Sequence, residues 1–188
     1  MSVVDESLHI AEDIISDFFS VTSNHWLMNQ YEVRTMVDIT DHAVFQETGW
    51  FAHLLRYSRP VSEKNSAVDN LDFYRICLND SKILGFTENG RPDRLLPFLI
   101  YVLTHELVHI IRFSRFYCCP DVYDRREEEI TVHAITRDIL SKRRIDGMRS
   151  TLDFFRAVAL DLDREKNFIK DDMIFSNTIN RSDKDAYL

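Results

Sequence analysis

The chain has 188 residues, 45% hydrophobic and 29% charged, the make-up of a globular protein able to bury a full core. Its 23 basic and 31 acidic residues leave a formal net charge of −8 and a pI near 5.3, which argues against nucleic acid or an anionic membrane surface as a partner. No run reaches the roughly 18 uncharged apolar residues of a membrane span, and "MSVVDESLHIAEDII" lacks the basic and apolar regions of a signal peptide. Three cysteines, two of them adjacent at Cys118 and Cys119, make a poor disulfide framework, so a reducing cytoplasmic setting is expected.

Four glycines and four prolines are too few for a fold of many short strands, and helices should dominate. The first predicted element is a helix from an N-cap at Asp5, with Leu8, Ala11, Ile15 and Phe18 at helical spacing. From Tyr31 to Ile39 the period changes to two, as in a half-buried strand. A hairpin is expected around Thr48-Gly49, then a polar loop over 59–70 and a strand over "LDFYRICL". Asn79-Asp80-Ser81 suggests a turn into a short strand, "KILGF".

A long helix is predicted from Leu95 to about Phe116, with Pro97 accommodated in its first turn, where no N–H is required. Leu96, Ile100, Leu103, Leu107, Ile110 and Ile111 form its core stripe. After "CCPDVYD" comes a helix with acidic residues at its start and basic ones at its end, as its dipole favours, and an inner stripe of Ile130, Ala134, Ile135 and Ile139. A last helix carries Leu152, Phe155, Ala159 and Leu162. The expected architecture is one α+β domain over residues 1–168: an N-terminal helix and a small mixed or antiparallel sheet, then a helical second half. Residues 169–188 form a polar tail in which "DDMIFSNTIN" is expected to be passive.

The chemistry concentrates in "THELVHI". Successive helical residues turn by about 100°, so His105 and His109 stack one turn apart on one face. Two such imidazoles can grip one Zn²⁺, and Glu106, displaced around the helix, can reach a water on that ion. This is the geometric content of H-E-x-x-H: two ligands and a general base from five residues. A catalytic zinc site normally takes a third protein ligand. The next helix opens with "RREEEITVHA", whose early turns can fold back to the metal, so Glu127, Glu128 and Glu129 compete for that place.

With H-E-x-x-H on one helix and a glutamate at the start of the following one, residues 95–143 resemble the gluzincins, the thermolysin-like zinc metallopeptidases of the zincin superfamily. The resemblance implies a zincin-like fold, Zn²⁺ held by His105, His109 and Glu129, with Glu128 as second choice, and Glu106 as the catalytic base. It also implies that His133 orients a ligand histidine or assists an oxyanion; as a histidine it could itself be the third ligand. Those enzymes pair an edge strand with the substrate, a role open here to "FYRICL" or "KILGF". The metzincin extension of the motif is absent from "HELVHIIRFSRF".

Arg112 falls on the same side as the histidines, within reach of an acidic neighbour or a substrate carboxylate, and Tyr101, Tyr117 and Tyr123 are further oxyanion candidates. His9, His25, His42, His53, Cys118 and Cys119 read as ordinary. No phosphate-binding or dinucleotide-binding glycine loop and no nucleophile elbow occurs. The expected function is a zinc-dependent hydrolase cleaving peptide or protein substrates; the alternative is a non-catalytic zincin-like domain that binds a protein or peptide.

Overall fold

The computed structural model describes residues 2–36, 50–57, 73–88, 90–116 and 125–168. They form a mixed α+β structure: α1 (Val3–Phe19), α2 (Ser23–Met28), β1 (Gln30–Thr35), β2 (Ala52–Tyr57), β3 (Phe73–Leu78), α3 (Asp80–Phe86), α4 (Pro92–Phe116), α5 (Arg125–Ser141) and α6 (Met148–Phe168). The three strands make one small mixed sheet in the order β1-β3-β2, with β1 parallel and β2 antiparallel to β3.

α1 begins earlier than expected. Ser2 is its N-cap and accepts the Asp5 N–H at 3.1 Å, while the Asp5 carboxylate accepts the Ser2 N–H at 2.9 Å. Asp5 therefore closes a capping box from the third helical position instead of capping the helix itself. The buried face is Ser7, Ala11, Ile14 and Ile15, whereas Phe18 is exposed. Ser7 is tolerated there because its hydroxyl donates to the Val3 carbonyl at 2.7 Å.

β1 ends at Thr35, so the expected strand is shorter by its last residues, of which 37–39 lie outside the described residues, as do the Thr48-Gly49 turn and the 59–70 loop. β3 is the central strand, with Tyr74, Ile76, Cys77 and Leu78 buried. "KILGF" is not a strand. The Asn79 side chain accepts the Lys82 N–H at 3.2 Å and caps α3, and the Thr87 hydroxyl returns to the Ile83 carbonyl at 2.8 Å. A capped turn satisfies its own backbone locally, which a strand here would need a neighbour to do.

α4 starts at Pro92, not at Leu95. Pro97 is consequently interior to the helix, and the Asp93 carbonyl loses the donor it would have found at position 97. Gly147, at φ +76°, stands against that carbonyl; a Cβ on it would lie 2.6 Å from Asp93 O and 3.1 Å from Pro97 Cγ. Only a glycine lets the chain between α5 and α6 approach so closely.

The expected core stripe of α4 is present, with Ile100, Leu103, Leu107, Ile110 and Ile111 fully buried and Leu96 partly so, but Phe98, Leu99, Tyr101, Val102 and Val108 are buried as well. The helix is packed all round, against α1, α5, α6 and β2. Its segment Asp93–Arg115 has the length and composition of a membrane-crossing helix, and 83% of its most apolar window is buried inside the protein. An aromatic cluster clamps its N-terminal half to α6: Phe51 and Phe98 centroids are 4.9 Å apart, Phe86 and Phe154 4.0 Å, and Tyr101 stacks on Phe155 at 3.8 Å.

The inner face of α5 is rotated from the one expected. Glu128, Val132, His133, Thr136, Ile139 and Leu140 are buried, Ile130 and Ile135 are half-buried, and Ala134 is exposed. The expected stripe shares only Ile139 with this face: it left out the aliphatic Val132 and Leu140 along with the charged and polar Glu128, His133 and Thr136. The helix also ends at Ser141, before the basic residues Lys142 and Arg143. In α6, Phe155 is buried and Leu152 and Ala159 are half-buried.

Candidate metal centre

α4 and α5 run antiparallel: Tyr101 meets His133, His105 meets Glu129, and Arg112 meets Glu128. This puts the first turns of α5 beside the fourth to sixth turns of α4. The His105 and His109 rings lie one above the other, centroids 4.8 Å apart and nearly perpendicular, with their Nε2 atoms 3.2 Å apart. Glu129 completes the group, its Oε2 3.2 Å from His105 Nε2 and its Oε1 3.4 Å from His109 Nε2.

These three separations bear on a metal. Ligand bonds of about 2.0–2.1 Å at tetrahedral angles put ligand atoms about 3.3–3.4 Å apart. The measured separations, 3.2, 3.2 and 3.4 Å, are close to that length, with Glu129 meeting His105 through Oε2 and His109 through Oε1; one donor atom from each of the three residues lies within 4.8 Å of the others. Two imidazole lone pairs at 3.2 Å also repel unless a proton or a cation lies between them. His105, His109 and Glu129 thus form a buried group that fits a metal ion, and two imidazoles with one carboxylate suit several divalent transition metals.

The triple glutamate divides three ways. Glu129 joins the histidines, Glu127 is exposed, and Glu128 turns to Arg112, accepting from Nε through Oε1 and from Nη2 through Oε2, both at 2.7 Å. Glu128 Oε1 is also 3.6 Å from His109 Nδ1. Arg112 therefore meets an acidic neighbour, one of the two roles open to it.

Glu106 is 7% exposed and lines a cavity of about 310 Å³ together with His105, His109, Glu129, Phe113, Trp50 and the β2 residues Ala52, His53 and Leu54. Three consecutive strand residues cannot all point one way, so the cavity borders the side of β2 away from β3, its one partner strand among the described residues. β3, paired on both sides, has no free edge, and "KILGF" is helical; neither sequence candidate is an edge strand.

His133 stands behind the group. Its Nδ1 is 2.9 Å from the Tyr101 hydroxyl, and its ring centroid is 4.4 Å from that of His105. Tyr101 is fully buried between His133 and Phe155 and does not line the cavity. Tyr117, Tyr123, His42, Cys118 and Cys119 lie outside the described residues.

The ionisation of the site follows from its crowding. Burial by itself would lower His109, but the carboxylates of Glu128, Glu129 and Glu106 outweigh it and hold the ring up at about 9. Burial likewise works to raise Glu128, yet His109 and Arg112 bring it down to about 2, and the two histidines bring Glu129 well below the ordinary carboxylate range. His133 is pushed down to about 3, first by burial and then by charge on His105, so its ring is neutral. Metal-free, the group has a proton where a metal would compete for the same nitrogen.

Trp50, His53 and Phe113 were missed in the sequence. Phe113 had a signal: it is one turn beyond His109 on the same face and its ring stacks on that histidine at 5.6 Å. His53 had none, since only the pairing of β2 with β3 brings it to α4, and Trp50 lies just ahead of that strand. Comparisons with protein-family models, with curated proteins and with solved structures find no match to this chain.

Proposed function

We propose that this chain is a zinc-dependent hydrolase, a small metallopeptidase of zincin-like fold acting on peptide or protein substrates. The observation that carries the reading is the His105–His109–Glu129 triangle with Glu106 beside it on one cavity wall. His105, His109 and Glu129 would hold the ion. A zinc ion held by these three residues would supply a water of lowered pKa and a Lewis acid for the substrate carbonyl.

Glu106 is the general base in this reading. Its carboxylate takes a proton from the attacking water and delivers it to the leaving amine nitrogen, so one group serves both half-steps. Among the described residues β2 is paired with β3 alone, and its place along the cavity supports an extended peptide as the ligand, because a strand edge offers main-chain hydrogen bonds with little regard to side chains. Trp50 and Phe113 supply apolar walls beside the reacting group.

The test joins metal analysis of the untagged protein to hydrolysis of a mixed peptide library. Zinc close to one per chain is expected, together with cleavage that Glu106→Gln lowers by about 10²- to 10⁴-fold while zinc stays bound. Unaltered turnover in Glu106→Gln overturns the mechanism. Zinc retention without any cleavage favours a zincin-like binding domain.

A further inference from the structure

The ion pair between Arg112 and Glu128 takes no part in the chemistry proposed above. Glu128 is 3% exposed, and the side chain of Arg112 is 15% exposed. Removing two charges from water is costly, and apolar residues of the same volume often hold such a contact as well or better. An ion pair buried beside a cluster of histidines therefore asks for a reason other than joining α4 to α5.

His109 Nδ1 is buried and has no hydrogen-bond partner, and Glu128 Oε1 lies 3.6 Å from it. A buried ring N–H needs an acceptor, and a movement of about half an ångström would bring this one into hydrogen-bond range. Arg112 engages both oxygens of Glu128 in a two-pronged contact, which fixes the plane of the carboxylate.

We infer that Glu128, held by Arg112, is a positioning residue: it accepts the Nδ1 proton of His109 and so aims the Nε2 lone pair at the space shared with His105 and Glu129. The inference rests on the metal-site reading above. It gives Glu128 a role distinct from that of a ligand, and it makes His109 the more firmly oriented of the two imidazoles. A histidine fixed through its far nitrogen by a carboxylate binds metal more tightly, because its tautomer and orientation are set in advance.

The test uses the full chain, stripped of metal, with zinc affinity read by competition against a chromogenic chelator. Glu128→Gln is expected to weaken zinc binding about 10- to 100-fold and to shift the visible absorption of the cobalt-loaded protein. A role confined to bridging helices would alter the unfolding temperature and leave both readouts in place. Zinc affinity in Glu128→Gln within about twofold of wild type overturns the positioning role while the metal site stands. Loss of binding in Glu128→Gln with unchanged affinity in Glu129→Gln makes Glu128 a ligand and also overturns it. A wild-type chain that takes up no zinc removes the metal reading and this inference together. Where Glu128→Gln fails to fold, Glu128→Met combined with Arg112→Leu removes both charges at similar volume; the same weakening is expected, and wild-type affinity there is equally fatal.

Discussion

Gly147→Ala tests how the helix that carries His105 and His109 is seated. Gly147 has φ +76°, and a methyl at its Cα would sit 2.6 Å from Asp93 O and 3.1 Å from Pro97 Cγ. Left-handed backbone costs a residue with a Cβ about 1–2 kcal/mol. The obstacle is a helix carbonyl and a proline ring, neither of which can swing aside, so overpacking adds about 1–3 kcal/mol. Together these come to about 2–5 kcal/mol, or roughly 4–20 °C in Tm for a chain of this size at about 2–4 °C per kcal/mol. The assay is thermal unfolding of the metal-free protein followed by circular dichroism. Gly85→Ala is the matched control: Gly85 lies in α3 with nothing within 4 Å of an added Cβ, and the helical preference of alanine should raise stability by up to about 1 kcal/mol. Equal Tm changes at the two glycines, or a Gly147→Ala protein as stable as wild type, would refute the account of how α4 accommodates Pro97.

Two further outcomes follow from the site. His109 is held at about 9 in the metal-free fold against an ordinary 6.5, so its protonated ring contributes stability that is fully present below pH 6.5 and is lost as pH rises through 9. The urea midpoint of the metal-free protein should therefore fall between pH 6.5 and 9, and a flat midpoint across that window contradicts the charge arrangement. Tyr101→Phe removes the hydroxyl 2.9 Å from His133 Nδ1 and leaves that buried nitrogen unpaired, at a cost of about 1–3 kcal/mol; an unaltered unfolding temperature would show that the pair contributes nothing.

Much of the helical half was legible because helix geometry is local. His105 and His109 had to share a face, with Glu106 about 100° round from His105, once residues 95–116 were read as a helix, and no tertiary contact could rearrange them. β3 was legible for a similar reason, since its apolar run carries its own strand preference. The errors have local causes too. Ser2 capped α1 ahead of Asp5 because the serine hydroxyl and the aspartate carboxylate satisfy each other's backbone N–H. "KILGF" became helix because Asn79 caps it, although its aliphatic residues suit a strand equally well.

What the sequence determined by itself is the inventory and spacing of reactive groups: two imidazoles and a carboxylate on one helix, and three glutamates opening the next. What only the tertiary structure decided is which glutamate meets the histidines. Successive residues of α5 differ by about 100° around its axis, so Glu127, Glu128 and Glu129 face solvent, Arg112 and the histidine pair in turn. That phase is set by Val132, Thr136, Ile139 and Leu140 packing into the core, a contact between distant parts of the chain that spacing along it does not encode.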